Sequence, residues 1–224
     1  AGADLVEIGI PFSDPIAEGP VIQEANNRAL AAGATIEKLV TLVEELRKET
    51  DIPLVFLTYI NPVFHYSYDA FFKRCDNVGL DGIIIPDLPF EEQTPVREAA
   101  GKHNIDLISL IAPTSEARIK EIAKNASGFI YLVSSMGVTG IRSEINTDLA
   151  SITAAIKSVT QIPVAIGFGI HSPQQAEQMV KIADGVIVGS AIVKIAAEHG
   201  TKAGPHIYRY VKEMKETVIR GSSQ

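Results

Sequence analysis

Short apolar segments alternate with helical segments along the whole chain, about every 25–30 residues. The apolar segments are rich in β-branched residues, as in Ile83-Ile84-Ile85 and Val186-Ile187-Val188. Segments that are apolar at every position are typical of strands buried on both faces of a parallel sheet. Because strand–helix–strand connections are right-handed, the alternation predicts either a closed β/α barrel or an open, doubly wound sheet.

Two features of the series favour the barrel. The sequence contains seven strand–helix units in regular order, and its informative loops follow the carboxyl ends of strands, where β/α barrels carry their active sites. We therefore predict a single α/β domain over residues 1–224, a (β/α)8 barrel of the TIM type. Because seven strands are one too few, and the chain begins without Met three residues before a strand, we expect the first βα unit to precede Ala1.

The composition is that of a globular protein, with 46% hydrophobic residues, 21% charged residues and a net charge of −7. No stripe of Lys and Arg is visible, and no apolar run approaches the about 20 residues of a membrane-spanning helix, so neither nucleic-acid nor membrane binding is expected. Cys75 is the only cysteine, which fits a reducing compartment and predicts a cytoplasmic protein, or a plastid protein if the source is a plant. The histidines lack metal-ligand spacing, so we expect no metal site.

The segment Val6 to Pro20 carries the first candidate for chemistry. Glu7 lies near the carboxyl end of a predicted buried strand, Asp4 to Gly9, with apolar residues on both sides, and the loop that follows contains Asp14 and Glu18. Burying a carboxylate is costly unless the group is paired or keeps its proton. The segment alone leaves two interpretations of Glu7 open, a functional acid or one half of a structural salt bridge.

Two glycine loops follow the last two predicted strands. Gly167-Phe168-Gly169-Ile170 and Gly189-Ser190-Ala191 each open a helix. Glycine lets the backbone approach an anion, and the amides at a helix N-terminus attract negative charge. Tight turns are the alternative, but the position after the last two strands is where β/α barrels commonly bind phosphate, so we predict a phosphate site.

Two further loops are candidates for contacts. The loop Ser134 to Asn146 is longer than the usual βα connection of about 2–6 residues, which favours a substrate lid over an irregular excursion. Tyr131, just before the loop, and Thr139, within it, could turn polar groups inward. Asp87 follows a strand and is interpreted as a loop or subunit contact or as a helix-cap acceptor, with contact favoured.

The candidate residues together indicate acid–base chemistry by carboxylates on a phosphorylated small molecule. The sequence offers no Ser-His-Asp set and no metal-ligand cluster, and it places no Schiff-base lysine on a predicted strand.

At this point the motifs resemble a known family. The stretch Glu7 to Pro15, Glu-Ile-Gly-Ile-Pro-Phe-Ser-Asp-Pro, is similar to the signature of the tryptophan synthase alpha subunit. Gly137-Val138-Thr139-Gly140 and the two glycine loops match that family's lid and phosphate loops in order. The resemblance implies an eight-fold β/α barrel and the retro-aldol cleavage of indole-3-glycerol phosphate to indole and glyceraldehyde 3-phosphate, in tryptophan biosynthesis.

The resemblance also implies roles for individual residues. Glu7 matches the catalytic glutamate, and Glu18 stands where the family has an aspartate that binds the indole N–H. The extra methylene of Glu18 moves its carboxylate, and a shift of about 1 Å can cost about 10²-fold in rate. The remaining matches are indole-pocket walls (Leu57, Tyr59 and Ile84), lid-side active-site positions (Tyr131 and Thr139) and phosphate contacts (Gly140, Phe168, Gly169, Gly189 and Ser190).

The family further implies a beta-subunit partner in an α2β2 assembly, with contacts near Asp14, Asp87 and the 134–146 loop. Pyridoxal phosphate is expected only in the beta subunit, and no cofactor is expected in this chain. Two alternatives stay open: a catalytically weak regulatory subunit that binds the phosphate ligand, and a stand-alone lyase that releases indole.

Overall fold

The computed structural model describes residues 1–134, 148–167 and 169–222. It contains a sheet in which every neighbouring pair of strands is parallel and the strands lie in the order of the chain. This sequential order is that of a β/α barrel, whereas a doubly wound sheet reverses its order at a switch point. The strands β1 to β7 are Val6–Gly9, Leu54–Leu57, Gly82–Ile84, Asp106–Ile111, Ile130–Val133, Val164–Gly167 and Gly185–Val186.

Helices connect successive strands. Short 3-10 turns occur at Phe90–Glu92 and Gly200–Lys202. The helices α1 to α10 are Pro20–Ala31, Ile36–Leu46, Ile60–Tyr66, Tyr68–Asn77, Thr94–Lys102, Glu116–Lys124, Leu149–Lys157, Pro173–Met179, Ser190–His199 and Gly204–Ser222.

Two connections differ from the sequence-based expectation. The sequence of Tyr59 to Pro62 predicts a loop, but helix α3 begins at Ile60. Pro62 lies in its first turn, where a missing N–H has no intrahelical partner to lose. The sequence predicts a single helix from Glu91 to His103, but the structure divides it into a 3-10 turn and α5, and a proline lies in the first turn of α5.

The described residues group into two compact units. The first, here called the β1–β4 unit, comprises Asp4–Ile16 and Glu24–Ile108. The second, the β4–β7 unit, comprises Ala1–Ala3, Ala17–Gln23 and Ser109–Gln224. The single-domain organisation predicted from the sequence stays a prediction.

The core of the β1–β4 unit lies between its strands and helices. Phe56 of β2 and the neighbouring Phe71 and Phe72 of α4 are fully buried, with ring centroids 5.3 Å apart for Phe71 and Phe72. Helix α2 turns Val40 and Val43 into the same cluster. Because burying each such side chain contributes about 1.5–3 kcal/mol, this layer fixes the helices on one face of the strands.

Strand β1 is less buried than predicted. Val6 is 36% exposed, Gly9 is exposed, and Glu7 and Ile8 are half-buried. Among the described residues β1 pairs with β2 alone, so one of its edges has no strand against it.

The start of β2 is fixed by an aspartate that precedes β3. The Asp81 carboxylate accepts a hydrogen bond from the Leu54 N–H at 2.8 Å and forms an ion pair with Arg47. Arg47 also donates to the carbonyls of Gly79 and Ile52, each at 2.6 Å. One guanidinium therefore ties the end of α2 to the beginnings of two strands.

The β4–β7 unit repeats this arrangement at the start of β6. The Asp184 carboxylate accepts from the Val164 N–H at 2.7 Å and pairs with Lys157, at the end of α7. Both strands follow an Ile-Pro pair, Ile52-Pro53 in one case and Ile162-Pro163 in the other. Because proline has no N–H, the following residue offers the first donor, and the aspartate accepts its hydrogen bond.

We expect Asp184→Ala to lower the free energy of unfolding by about 1–2 kcal/mol, because the Val164 N–H and the Lys157 ammonium each lose a partner. Urea denaturation measures the change, and Asp184→Asn, which keeps one acceptor oxygen, serves as the milder matched variant.

This contribution depends on pH. Burial raises the pKa of Asp184, but the hydrogen bonds from Lys157 and the Val164 N–H outweigh burial and hold that pKa below its usual value. The stabilisation is therefore present at neutral pH and is lost as the pH falls through the folded-state pKa. Unfolding curves that coincide for the wild type and Asp184→Ala at neutral pH would contradict this account.

Candidate active site

Glu7 is half-buried as a residue, but one of its carboxyl oxygens, Oε1, is fully buried without a hydrogen-bond partner in the described part of the chain. Burial raises the pKa of Glu7 from 4.5 to about 7. No ion pair to Glu7 occurs in the described ranges, so the interpretation as half of a salt bridge finds no support.

The strand register places the predicted pocket walls on the same face as Glu7. Glu7 lies beside Val55, and Gly9 lies beside Leu57, which in turn lies beside Ile84. Since side chains alternate between the two faces of a strand, Glu7, Leu57 and Ile84 share one face. The opposite face packs on the helices through the residues between them. The sequence thus puts an acid and apolar walls on one surface of the β1–β4 unit.

Tyr59 holds the loop that follows β1. Its ring stacks on Phe12 with centroids 5.2 Å apart, and its hydroxyl accepts a hydrogen bond from the Ile16 N–H at 3.0 Å. Tyr59 is buried, so these contacts fix the loop that carries Asp14 relative to the end of β2.

Glu18 is buried and belongs to the β4–β7 unit, whereas Glu7 belongs to the β1–β4 unit. The Glu18 carbonyl accepts from the Gln23 side-chain amide at 2.8 Å, and the Gly19 carbonyl accepts from the Ile22 and Gln23 amides at the start of α1. The backbone that presents the Glu18 carboxylate is therefore fixed by the first turn of the helix.

Tyr131 packs on a glycine whose role sequence reasoning missed. A Cβ atom at Gly167 would lie within 2.5 Å of the Tyr131 ring, so only glycine leaves room for the ring at this place. Tyr131 is buried on β5, and Gly167 is the last residue of β6. The sequence pattern assigns Gly167 to a phosphate loop. The position of Gly167 at the end of a strand could have indicated this contact, because glycine in a strand often marks the close approach of another group.

The two predicted phosphate loops differ in their free donors. Ser172 and Gln175 form a capping box at the start of α8, which occupies amides there. Helix α9 begins at Ser190, and its N-cap residue, Gly189, makes no side-chain cap. A Cβ at Gly189 would meet nothing within 4 Å. Of these two helix N-termini, that of α9 is the open one.

Asp87 serves as a helix-cap acceptor. Its Oδ1 accepts from the Ile60 N–H, at the start of α3, at 2.9 Å. Burial raises the pKa of Asp87, while hydrogen bonds from the backbone, including that of Ile60, oppose the shift. The contact with another subunit that the sequence favoured stays a prediction.

Several predicted residues lie outside the described ranges. They are Thr139, Gly140, Phe168 and the predicted lid after Ser134. Across the described ranges there is no group of three or more His, Cys, Asp and Glu side chains suited to a metal ion. The described helices include none with the length and apolarity needed to cross a membrane.

The comparisons with known proteins agree with one another. A family model described as tryptophan synthase alpha chain matches residues 1–219. The tryptophan synthase alpha chain of Lacticaseibacillus casei is 54% identical over 217 residues, which are 97% of this chain and 82% of that protein. The crystal structure of the alpha chain from Legionella pneumophila has a TM-score of 0.87 at 34% identity and covers 100% of this chain and 83% of its own.

The chain belongs to the tryptophan synthase alpha chain family. A further structure, from work on the α2β2 complex of tryptophan synthase from Pyrococcus furiosus, has a TM-score of 0.85 at 35% identity and covers 94% of this chain and 85% of its own. The predicted family, the β/α-barrel fold class and the predicted role as the alpha-subunit lyase of tryptophan biosynthesis are thereby confirmed. The roles of single residues in this alpha chain remain predictions.

Replacing Gly167 with Ala should displace the Tyr131 ring, because the new methyl group and the ring cannot occupy the same space. We expect a loss of stability of about 1–3 kcal/mol and a change in the near-ultraviolet circular dichroism signal of tyrosine. Gly101→Ala, on a helix where a Cβ has nothing within 4 Å, is the matched control. Identical stability and spectra for Gly167→Ala and the wild type would show that the ring is not held here.

Proposed function

We propose that Glu7 carries out the proton transfers by which this alpha chain cleaves indole-3-glycerol phosphate. The observation that carries the proposal is the buried Glu7 carboxyl group, whose Oε1 has no partner in the described part of the chain and whose pKa is raised to about 7. A group with this pKa is present in both protonation states near neutral pH, which suits it to act as both acid and base.

The cleavage requires a proton to leave oxygen and another to reach carbon. The hydroxyl on the glycerol carbon bonded to indole C3 loses its proton, and a carbonyl forms at that carbon. Indole C3 gains a proton, which turns the ring into an electron acceptor, and the electrons of the breaking carbon–carbon bond return to the ring. The products are indole and glyceraldehyde 3-phosphate, with no net gain or loss of atoms. Glu7 can accept the first proton and, in its acid form, supply the second.

The apolar face beside Glu7 would hold the indole ring. Leu57 and Ile84 supply aliphatic walls, and Tyr59 is the third wall residue implied by the family. The buried Oε1 atom is shielded from water, which keeps the pKa of Glu7 high, and a bound indole ring would exclude further water from the proton transfers.

Glu18 would accept the hydrogen bond of the indole N–H. Glu18 is buried, and a hydrogen bond to its carbonyl holds its backbone at the start of α1. The backbone can therefore shift only slightly to compensate for the extra methylene of the Glu18 side chain. This departure from the family's aspartate favours the second candidate function, a catalytically weak subunit that binds the phosphate ligand and regulates a partner.

The substrate phosphate would bind at the open N-terminus of α9. Gly189 leaves space for the approaching anion, and Ser190 offers both its amide and its hydroxyl. Gly169, on the neighbouring loop, would contribute its backbone N–H to the phosphate. Its φ of +95° is a conformation that favours glycine. Tyr131, Thr139, Gly140 and Phe168 complete the set implied by the family.

A beta subunit is the proposed partner, in an α2β2 assembly like that named for the Pyrococcus furiosus enzyme. Exposed apolar side chains on the β1–β4 unit support a docking surface: Ile16 is 72% exposed and Phe64 is 63% exposed. Asp14 is exposed on the same loop as Ile16, and Asp87 lies at the start of the helix that carries Phe64. The 134–146 loop is the third expected contact. We assign pyridoxal phosphate to the beta subunit alone and place the assembly in the cytoplasm, as in a bacterial cell.

The proposed function is tested by measuring indole formation from indole-3-glycerol phosphate with and without a beta subunit. We expect slow turnover by the chain alone and a large rise on adding the partner. Glu7→Gln should lower kcat by about 10²–10⁴-fold in both cases, because it cannot transfer the proton. Glu44→Gln, at an exposed position on α2, is the matched control and should leave kcat unchanged.

The outcomes separate the three functions. Absence of indole formation in both conditions would support the regulatory subunit and exclude the lyase. Full activity without any rise on adding the beta subunit would support the stand-alone lyase. Phe64→Ser should keep the activity of the chain alone and reduce the rise, which would assign the docking surface.

A further inference from the structure

The backbone amides of the loop between β6 and α8 are of two kinds, those that donate to another group of the protein and those that do not. The N–H groups of His171 and Ser172 both donate to the Gln175 side-chain oxygen, at 3.0 and 3.2 Å. They are therefore not available to a ligand. The N–H groups of Gly169 and Ile170 have no hydrogen-bond acceptor in the described part of the chain. A phosphate that reaches this loop would meet these two donors.

The orientation of the free Ile170 amide depends on the imidazole of His171. Its Nδ1 lies 2.9 Å from the Gly169 carbonyl oxygen. Because a carbonyl oxygen can only accept, Nδ1 carries the proton of this hydrogen bond. The peptide that begins with the Gly169 carbonyl ends with the Ile170 N–H, and in a trans peptide these two groups point in opposite directions. Fixing the carbonyl on His171 therefore fixes the direction of the Ile170 N–H.

His171 is in turn held from the last helix. The Tyr210 hydroxyl, on α10, donates to the His171 carbonyl at 2.8 Å. Tyr210 is half-buried, and α10 packs along α8. A continuous chain of contacts thus runs from α10 through His171 to Gly169, and all of its members belong to the β4–β7 unit.

We propose that Tyr210 and His171 are positioning residues for the substrate phosphate: they hold the backbone at Gly169 so that the free amides of Gly169 and Ile170 are preorganised for the anion. This inference rests on the proposed phosphate site. Neither side chain reacts with the substrate. Their effect is on binding, because a fixed loop loses less freedom when the phosphate binds.

The test compares Tyr210→Phe and His171→Ala with the wild type. Losing one hydrogen bond that orders the loop should raise KM for indole-3-glycerol phosphate, and the Kd for inorganic phosphate, about 3–10-fold, with kcat within about 2-fold. The affinity for indole, which has no phosphate, should not change. Tyr208→Phe, at an exposed position on the same helix, is the matched control. His171→Asn, whose side-chain amide can donate to the Gly169 carbonyl, should recover part of the loss.

Two results would overturn the proposal. One is a KM and a phosphate Kd within about 2-fold of the wild type for both Tyr210→Phe and His171→Ala. The other is an equal loss of indole and phosphate affinity, which would indicate general damage to the fold. Ser190→Ala distinguishes the failure of this inference from that of the phosphate site. If Ser190→Ala weakens phosphate binding and the two positioning variants do not, the positioning role alone is wrong; if none of the three weakens it, the phosphate site is wrong as well.

Discussion

The uncompensated burial of one carboxyl oxygen is the constraint on which the chemistry depends. Glu7 has a folded-state pKa of about 7 against an ordinary value of 4.5, and burial is the cause. Between these two values the folded chain keeps the Glu7 proton more readily than the unfolded chain, so this group makes the protein less stable as the pH rises through that window. Above the folded-state pKa the full cost of the buried charge is present. The fold maintains this destabilising group because β1 pairs in register with β2 and turns its neighbouring side chain to the helix-facing core.

The residues at the two ends of the strands have different roles. At the amino ends of β2 and β6, Asp81 and Asp184 bind the first strand N–H and a cation from the preceding helix, which stabilises the fold. At the carboxyl end of β6 lie Gly167, over which the Tyr131 ring packs, and the loop at Gly169; on β1, Glu7 is the second residue of the strand. This separation is the one expected of β/α barrels, in which loops at the carboxyl ends can change without loss of the scaffold.

Much of the fold could be predicted because the strands are apolar at nearly every position and the helices have clear ends. For strand β4 and helix α6 the sequence pattern by itself predicts the bounds that the structure shows, Asp106–Ile111 and Glu116–Lys124. The sequence predicts a loop in place of the first turn of helix α3; proline is common in loops, but the first helical turn also tolerates it, and Pro62 lies there. In the site, the need for Gly167 depends on a ring that is 36 positions earlier in the sequence, and Tyr210 meets His171 from 39 positions away. Neither contact can be predicted from the spacing of residues that are close together in the sequence. The capping box at Ser172 was visible as Ser-Pro-Gln-Gln and would have shown that α8 satisfies its own amides.

Direct titration of Glu7 tests the central claim most sharply. Carbon-13 labelling of glutamate side chains and nuclear magnetic resonance at a series of pH values would follow each carboxyl carbon, and the Glu7→Gln variant would identify the signal that belongs to Glu7. The account predicts a carboxyl group that titrates near 7 in the folded chain and is absent from the variant. A Glu7 signal that titrates near the ordinary value of 4.5 would contradict it, because the carboxyl group would then be neither desolvated nor suited to both proton transfers.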